Sequence, residues 1–194
     1  MKLPKIRRGK DFIDWCRVIM NQSTLSLIQN LDTSSMNALE ISGRDWKKKC
    51  KFKEYTNVFY PEFDVCNPNP IFEKESYDII FAEQVFEHVK DPKKGLQEVY
   101  NLLKPNGYFL ITVPFFIMIH GSPEDYQRWT PDGFRIFLES ENFKILELNS
   151  WGNKECAISY LSLDKLESFD PDKHSLENDP FIPLMIWALV QKNV

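Results

Sequence analysis

Apolar residues recur along this chain in two rhythms. Phe12, Trp15, Cys16 and Ile19 fall at i, i+3, i+4 and i+7, one stripe of an amphipathic helix. Leu96, Val99, Tyr100 and Leu103 form a second stripe of that kind, and Phe134, Phe137 and Leu138 a third. Ser23 or Thr24 suits the N-cap of a further short helix running through Leu31. Between the helical segments lie short apolar runs at Ala38–Ser42, Tyr55–Tyr60, Phe63–Cys66, Tyr77–Ala82 and Tyr108–Val113. Continuous runs such as Tyr77–Ala82 suit strands covered on both faces. Phe143–Leu148 alternates like a half-exposed strand, and Phe181–Val190 reads as the last strand.

The punctuation agrees with these elements. Asp91-Pro92 offers an N-cap followed by a first-turn proline, and Thr130-Pro131-Asp132 repeats the device before Phe134. Pro105-Asn106-Gly107 ends the helix that Asp91 opens. Trp46–Lys53 reads as a helix with its cations near the carboxyl end. Pro114–Trp129 is a loop, and Asp164–Pro183 belongs to a long acidic connection with a short helix near Leu161–Leu166. Strand and helix alternate, which predicts an α/β fold: one mostly parallel sheet with helices on both faces. No internal repeat and no second domain boundary is visible, so residues 1–194 read as one domain.

Composition narrows the class. The 194 residues are 43% hydrophobic and 14% aromatic, enough for a full core without staples. With 24 basic and 28 acidic side chains the net charge is −4, so no global field recruits nucleic acid. Lys47, Lys48, Lys49, Lys51 and Lys53 read as a solvated helix face. No run reaches the roughly eighteen apolar residues a membrane span needs, and the basic start is not a secretory signal, so a cytoplasmic protein is expected. Cys16, Cys50, Cys66 and Cys156 make no CxxC pair and read as reduced thiols. His88, His120 and His174 lack metal-binding spacing, so no metal is expected.

Ligands of open α/β sheets bind beyond the carboxyl ends of the strands. That rule selects Ser42-Gly43, Tyr60, Glu83–His88 and Pro114–Trp129. Leu39-Glu-Ile-Ser-Gly43, the block Tyr77–Val89 ending Val-Phe-Glu-His-Val, Asp91-Pro92 and Leu103-Lys-Pro-Asn-Gly107 together resemble the class I S-adenosylmethionine-dependent methyltransferases. The closest likeness is to the type 11 methyltransferase-domain group, over about residues 36–150. Pro114-Phe115, His120, Pro123, Asp125-Tyr126 and Arg128-Trp129-Thr130 resemble a subgroup pattern within it.

The resemblance implies a Rossmann-like, seven-stranded sheet with an antiparallel last strand, a helical lid over 1–35, a cofactor-binding core over 36–150, and a remainder carrying the last strand. It implies S-adenosylmethionine as cofactor and S-adenosylhomocysteine as product. Glu40 takes the acidic position of the first strand, and Ser42-Gly43 the loop under the methionine moiety, where a helix start would present free N–H groups. Asn57, Tyr60 or Glu62 would stand in for the ribose-binding acid, and Asp64 and Asn67 lie near the adenine contact. Glu83, Gln84, Phe86 and His88 follow the strand that closes over adenine and sulfonium. Two departures are plain: Gly43 is followed by Arg44-Asp45-Trp46 instead of further small residues, and Phe59 replaces the acid that ends the second strand.

His120 lies in the loop facing the methyl donor and is the candidate base for a hydroxyl acceptor. Asp125, Tyr126 and Arg128 are candidate acceptor contacts, with Arg128 able to clamp a carboxylate or phosphate; alternatively Asp125 and Arg128 tie the loop together as an ion pair. The sequence therefore predicts methyl transfer to a small-molecule or glycan-like acceptor, preferably at oxygen, with no nucleic-acid or membrane partner. A binding or scaffold protein that kept the fold and lost the donor site is the rival reading. A nicotinamide-binding protein fits less well, since a full GxGxxG is absent.

Overall fold

The apolar run around Leu39 becomes the central strand β1 (Asn37–Ile41) of a computed structural model that describes residues 11–67, 72–121, 123–162 and 167–193. A 3-10 turn at Trp15–Arg17 and helix α1 (Val18–Gln29) precede it. Then follow α2 (Trp46–Lys49), β2 (Glu54–Val58), β3 (Tyr77–Glu83), α3 (Pro92–Leu102), β4 (Leu103–Pro114), α4 (Pro131–Glu139), β5 (Phe143–Trp151), α5 (Lys154–Leu161) and β6 (Met185–Lys192). The sheet order is β2-β1-β3-β4-β6-β5, parallel through β4, with β6 antiparallel to both of its neighbours. The order reverses between β1 and β3, so the crevice of the fold opens at their carboxyl ends.

The sheet has six strands among the described residues, not seven. Phe63–Cys66 runs as turns because the Asp64 carboxylate accepts the backbone N–H of Cys66 at 2.9 Å, a local bond that competes with strand pairing. Phe63 and Val65 are nevertheless buried and plug the core beside α3. The two helices expected near the amino terminus are one helix, since Thr24 is buried mid-helix and its hydroxyl donates back to the Asn21 carbonyl. The lysine-rich helix stops at Lys49, and the last strand is shifted to Met185–Lys192. The helix expected near Leu161–Leu166 lies earlier, at Lys154–Leu161, where Asn153 caps it by accepting from Cys156 N–H at 2.8 Å; residues 163–166 lie outside the described residues. Pro105–Gly107 sits in a bulge of β4, where pairing jumps from Tyr77–Leu103 to Ile79–Tyr108.

Both faces of the sheet are covered. Leu39, Ile41, Ile80, Ala82 and Ile111 pack with Leu96 and Val99 of α3 and Phe134 and Leu138 of α4. On the opposite face Ala38, Ile79, Phe81 and Leu110 meet Ile28 of α1 and Trp46 of α2. Trp15, Cys16 and Met20 pack with Trp151, Tyr160 and Trp187, so the amino-terminal segment is part of the core. Each such side chain contributes about 1.5–3 kcal/mol when fully buried. Burial pushes the Cys156 thiol up to about 12 and that of Cys16 upward too, and all four cysteines are free. Among the described residues no helix is long and apolar enough to cross a membrane.

The expected caps are present. Asp91 accepts from Lys94 N–H at 3.2 Å and Thr130 from Gly133 N–H at 3.1 Å. Asp91→Ala is expected to lower the midpoint of urea unfolding, because it removes the acceptor that caps α3. An unchanged midpoint would show that α3 is held by packing alone.

Candidate active site

Two loops flank the β1/β3 crevice, and a third covers the end of β3. After β1, Ser42 adopts φ 58°, turning the chain so that Gly43 lies over the Glu40 side chain. Glu40 is buried, and its carboxylate accepts the backbone N–H groups of Asp45 and Trp46 at 3.0 Å each and the Tyr55 hydroxyl. The two N–H groups expected to await a ligand carboxylate are therefore engaged by Glu40. Trp46 is fully buried, stacks on Phe81 at 4.6 Å, and donates its indole N–H to Glu83 at 3.0 Å. Its bulk sits in a loop where the resemblance leads one to expect a small residue, and the ring is accommodated by turning away under the sheet. Phe59 fills nothing: it is partly exposed and lies beneath the Arg44 guanidinium.

After β3, Gln84 also takes a left-handed conformation, φ 56°, and its amide donates to Thr112 Oγ1 at 3.1 Å. Glu83 Oε1 and Gln84 Oε1 are buried and reach no hydrogen-bond donor among the described residues. Burial raises the Glu83 carboxyl above its ordinary range against the opposing pull of Lys49, whose ammonium is 3.8 Å away. Arg17, at the start of α1, also acts on Glu83, and it pairs with Asp14 at 3.7 Å. Unsatisfied acceptors at the switch point suit a ligand that brings its own donors and positive charge.

The third loop, after β4, is laced onto the segment following β3. Tyr126 N–H donates to Glu87 O at 2.8 Å, Gln127 Nε2 to Phe86 O and Val89 O, and His88 Nδ1 to Glu124 O at 2.5 Å. Asp125 is almost wholly buried and holds His120: its Oδ2 accepts His120 N–H at 2.8 Å and lies 3.4 Å from Nδ1. Arg128 grips the same carboxylate with both terminal nitrogens, NH2 at 2.6 Å. The His120 ring is 40% exposed, and burial holds its pKa below the usual histidine value, which keeps the imidazole neutral near pH 7. Its Nε2 lies 3.8 Å from Glu87 Oε1, and His88 Nε2 lies 3.6 Å from the same atom.

The methyltransferase-domain family profile matches residues 11–148, well over half of the chain. The chain belongs to that family. Its fold is that of the class I S-adenosylmethionine-dependent methyltransferases, for which S-adenosylmethionine is the cofactor. Among curated relatives it is 24% identical over 154 residues to a ubiquinone biosynthesis O-methyltransferase of Pelagibacter ubique, a match covering 63% of this chain and 64% of that one. An S-adenosylmethionine-dependent methyltransferase of Mesorhizobium loti superposes with a TM-score of 0.55 at 9% identity, covering 88% of this chain and 96% of that one. Phosphoethanolamine N-methyltransferase 2 of Haemonchus contortus, bound to S-adenosylmethionine, gives 0.59 at 16% identity over 90% and 53%. The cyclase SpnF gives 0.57 at 12% identity over 89% and 80%, so this fold alone does not determine a reaction.

In this member of the family the expected site residues separate into groups. Ser42, Gly43, Glu83 and Gln84 line the switch point, with Glu40 fixing the loop from below. Asn57 and Tyr60 are exposed on and after β2, and Asp64 and Asn67 bond to each other in the turn that follows. Phe86 is not a ligand contact: it is fully buried against Phe109 and Phe137. His88 belongs to the cluster with His120. Arg128 is not a free clamp, because its fork is occupied by Asp125, and Asp125 in turn positions His120; the Tyr126 ring is half-exposed beside them.

Glu87 is the residue that sequence reasoning passed over: it stands in the Val85–Val89 block that carries the resemblance, with no role of its own there. It is fully buried, and neither carboxylate oxygen has a hydrogen-bond donor of good geometry among the described residues. Burial raises its pKa from the ordinary 4.5 to about 7, against the pull of its own backbone N–H, Arg17 and Arg128. A raised carboxyl pKa means the folded protein holds a proton that the unfolded chain has released. Stability of metal-free protein should therefore fall as pH rises from 4.5 to about 7, by roughly 3 kcal/mol in total. His88, His120, Asp125, Arg17 and Arg128 surround the group, so the measurement compares Glu87→Gln with its parent by urea unfolding across that range. The variant should lose most of this slope; equal slopes would place the proton elsewhere.

Proposed function

We propose that this protein transfers the methyl group of S-adenosylmethionine to a hydroxyl of a small-molecule or glycan-like acceptor, with His120 as the base. The observation that carries the reading is the state of His120: neutral by burial, tethered at Nδ1 by Met118 O and Asp125, and with its side chain 40% exposed. The name of the Pelagibacter relative, an O-methyltransferase, agrees with it. When bound, the cofactor supplies a methyl carbon already activated by a positive sulfur. The protein's share is alignment and proton removal, and a positioned base contributes about 10²–10⁴-fold. Asp125, locked by Arg128, orients the imidazole, and Tyr126 offers an aromatic surface to the acceptor.

Ser42, Gly43, Glu83 and Gln84 are proposed to hold the methionine end, with the orphaned Glu83 and Gln84 oxygens accepting from its ammonium. Asn57, Tyr60, Asp64 and Asn67 are proposed for the ribose and adenine side, and α1 for the lid. Calorimetric titration with S-adenosylhomocysteine should give one site. No heat at millimolar ligand would instead favour the scaffold reading, for which the buried Trp46 and the engaged Glu40 speak. Methyl uptake by hydroxyl acceptors, and none by their amine analogues, tests the choice of oxygen.

A further inference from the structure

We propose that Glu87, His88 and His120 form a binding site for a divalent first-row transition-metal cation of the zinc type, beside the methyl-donor crevice. The ligand atoms of the three side chains lie within 4.8 Å of one another. Both Nε2 atoms face one carboxylate oxygen, Glu87 Oε1, at 3.6 and 3.8 Å. A tetrahedral cation with bonds of about 2.0–2.1 Å needs ligand atoms about 3.3 Å apart, so closing the cluster takes a few tenths of an ångström on the two Glu87 edges and up to about 1.5 Å between the histidines.

The hydrogen bonds point the same way. His88 Nδ1 contacts Glu124 O at 2.5 Å, and His120 Nδ1 contacts Met118 O at 3.3 Å, so each Nδ1 donates to a backbone carbonyl and each Nε2 is left to face Glu87. Both Nε2 atoms converge on a fully buried carboxylate whose oxygens have no hydrogen-bond donor of good geometry among the described residues, an arrangement that a cation between the three groups would satisfy. Backbone carbonyls behind the imidazoles are the usual supports of metal-binding histidines. None of the four cysteines belongs to the cluster, and one carboxylate with two imidazoles is the donor set of many open catalytic zinc sites.

Solvent reaches His120, whose side chain is 40% exposed, and a tetrahedral cation on three protein ligands would keep a fourth position for water or an acceptor oxygen. Binding of the cation does not depend on the acceptor proposed above. Its use does: in the metal-free protein His120 Nε2 is the base proposed above, whereas with the cation bound His120 is a ligand and the cation, by holding the acceptor hydroxyl, would lower that hydroxyl's pKa in its place.

Chelator-treated protein titrated calorimetrically with Zn(II) should bind one equivalent, and Glu87→Gln should weaken binding at least about tenfold. Co(II) in the same site should give visible tetrahedral d–d bands without a thiolate charge-transfer band. Thermal unfolding in chelator should show Glu87→Gln at least as stable as its parent, so lost binding is not lost folding. S-adenosylhomocysteine affinity should be the same in both, which separates failure here from failure of the methyl-transfer reading. Absence of one-to-one binding, binding that Glu87→Gln leaves intact, or a thiolate spectrum would overturn the site and leave a Glu87–histidine proton pair.

Discussion

Replacing His120 with alanine is expected to lower turnover by about 10²–10⁴-fold while S-adenosylhomocysteine binds as before. The imidazole belongs to the loop after β4, whereas the loops assigned to the donor leave β1 and β3, so removing it should affect the chemical step and not donor affinity. A loss of this size exceeds anything packing would explain, because the ring is 40% exposed and its removal opens no cavity in the core. The pH profile tells how the residue acts. A base with a pKa below the usual histidine value gives a rate that rises with pH and levels off below neutrality, and the variant should lose that limb. Added imidazole should restore part of the rate. Unaltered turnover would demote His120 to a structural residue of the loop.

Gly43→Val is expected to have the largest effect on the donor side. No positive φ calls for glycine here, since the left-handed residue is Ser42; the requirement is space. A Cβ on Gly43 would stand 2.1 Å from Glu40 Oε1 and 2.9 Å from its Cδ. The carboxylate must then move, releasing the N–H groups of Asp45 and Trp46 and the Tyr55 hydroxyl. Hydrogen bonds to a charged group are worth about 1.5–3 kcal/mol each, so losing two of these three costs on the order of 3–6 kcal/mol. Urea unfolding should report that loss, and S-adenosylhomocysteine binding should disappear with the loop's shape. A variant that keeps both would show that the β1 loop neither depends on Glu40 nor meets the donor.

How far the site could be read in advance depended on the range of the interactions involved. Asp91 and Thr130 act on N–H groups two or three residues away, so their pairing with a following proline was enough to locate α3 and α4. The runs at Leu39, Ile79 and Leu110 are apolar on both faces, and no water-facing alternative suits them. Asn153 carried the same kind of signal before α5 and was missed beside Trp151 and Gly152. Phe63–Cys66 has the composition of a strand, but a single bond from Asp64 turned it.

The sequence by itself determined the alternation of strands and helices, the loops at the switch point, and the family, because these rest on periodicity, capping and contiguous motifs. Only the tertiary structure decided what each polar group does. It buried Phe86 against Phe109, occupied Arg128 with Asp125, gave the helix-start N–H groups to Glu40, and set Glu87 and His88 against His120 from the far side of β4. Those outcomes follow from desolvation and from contacts between distant segments. A carboxylate's neighbours and its distance from water are properties of the folded chain.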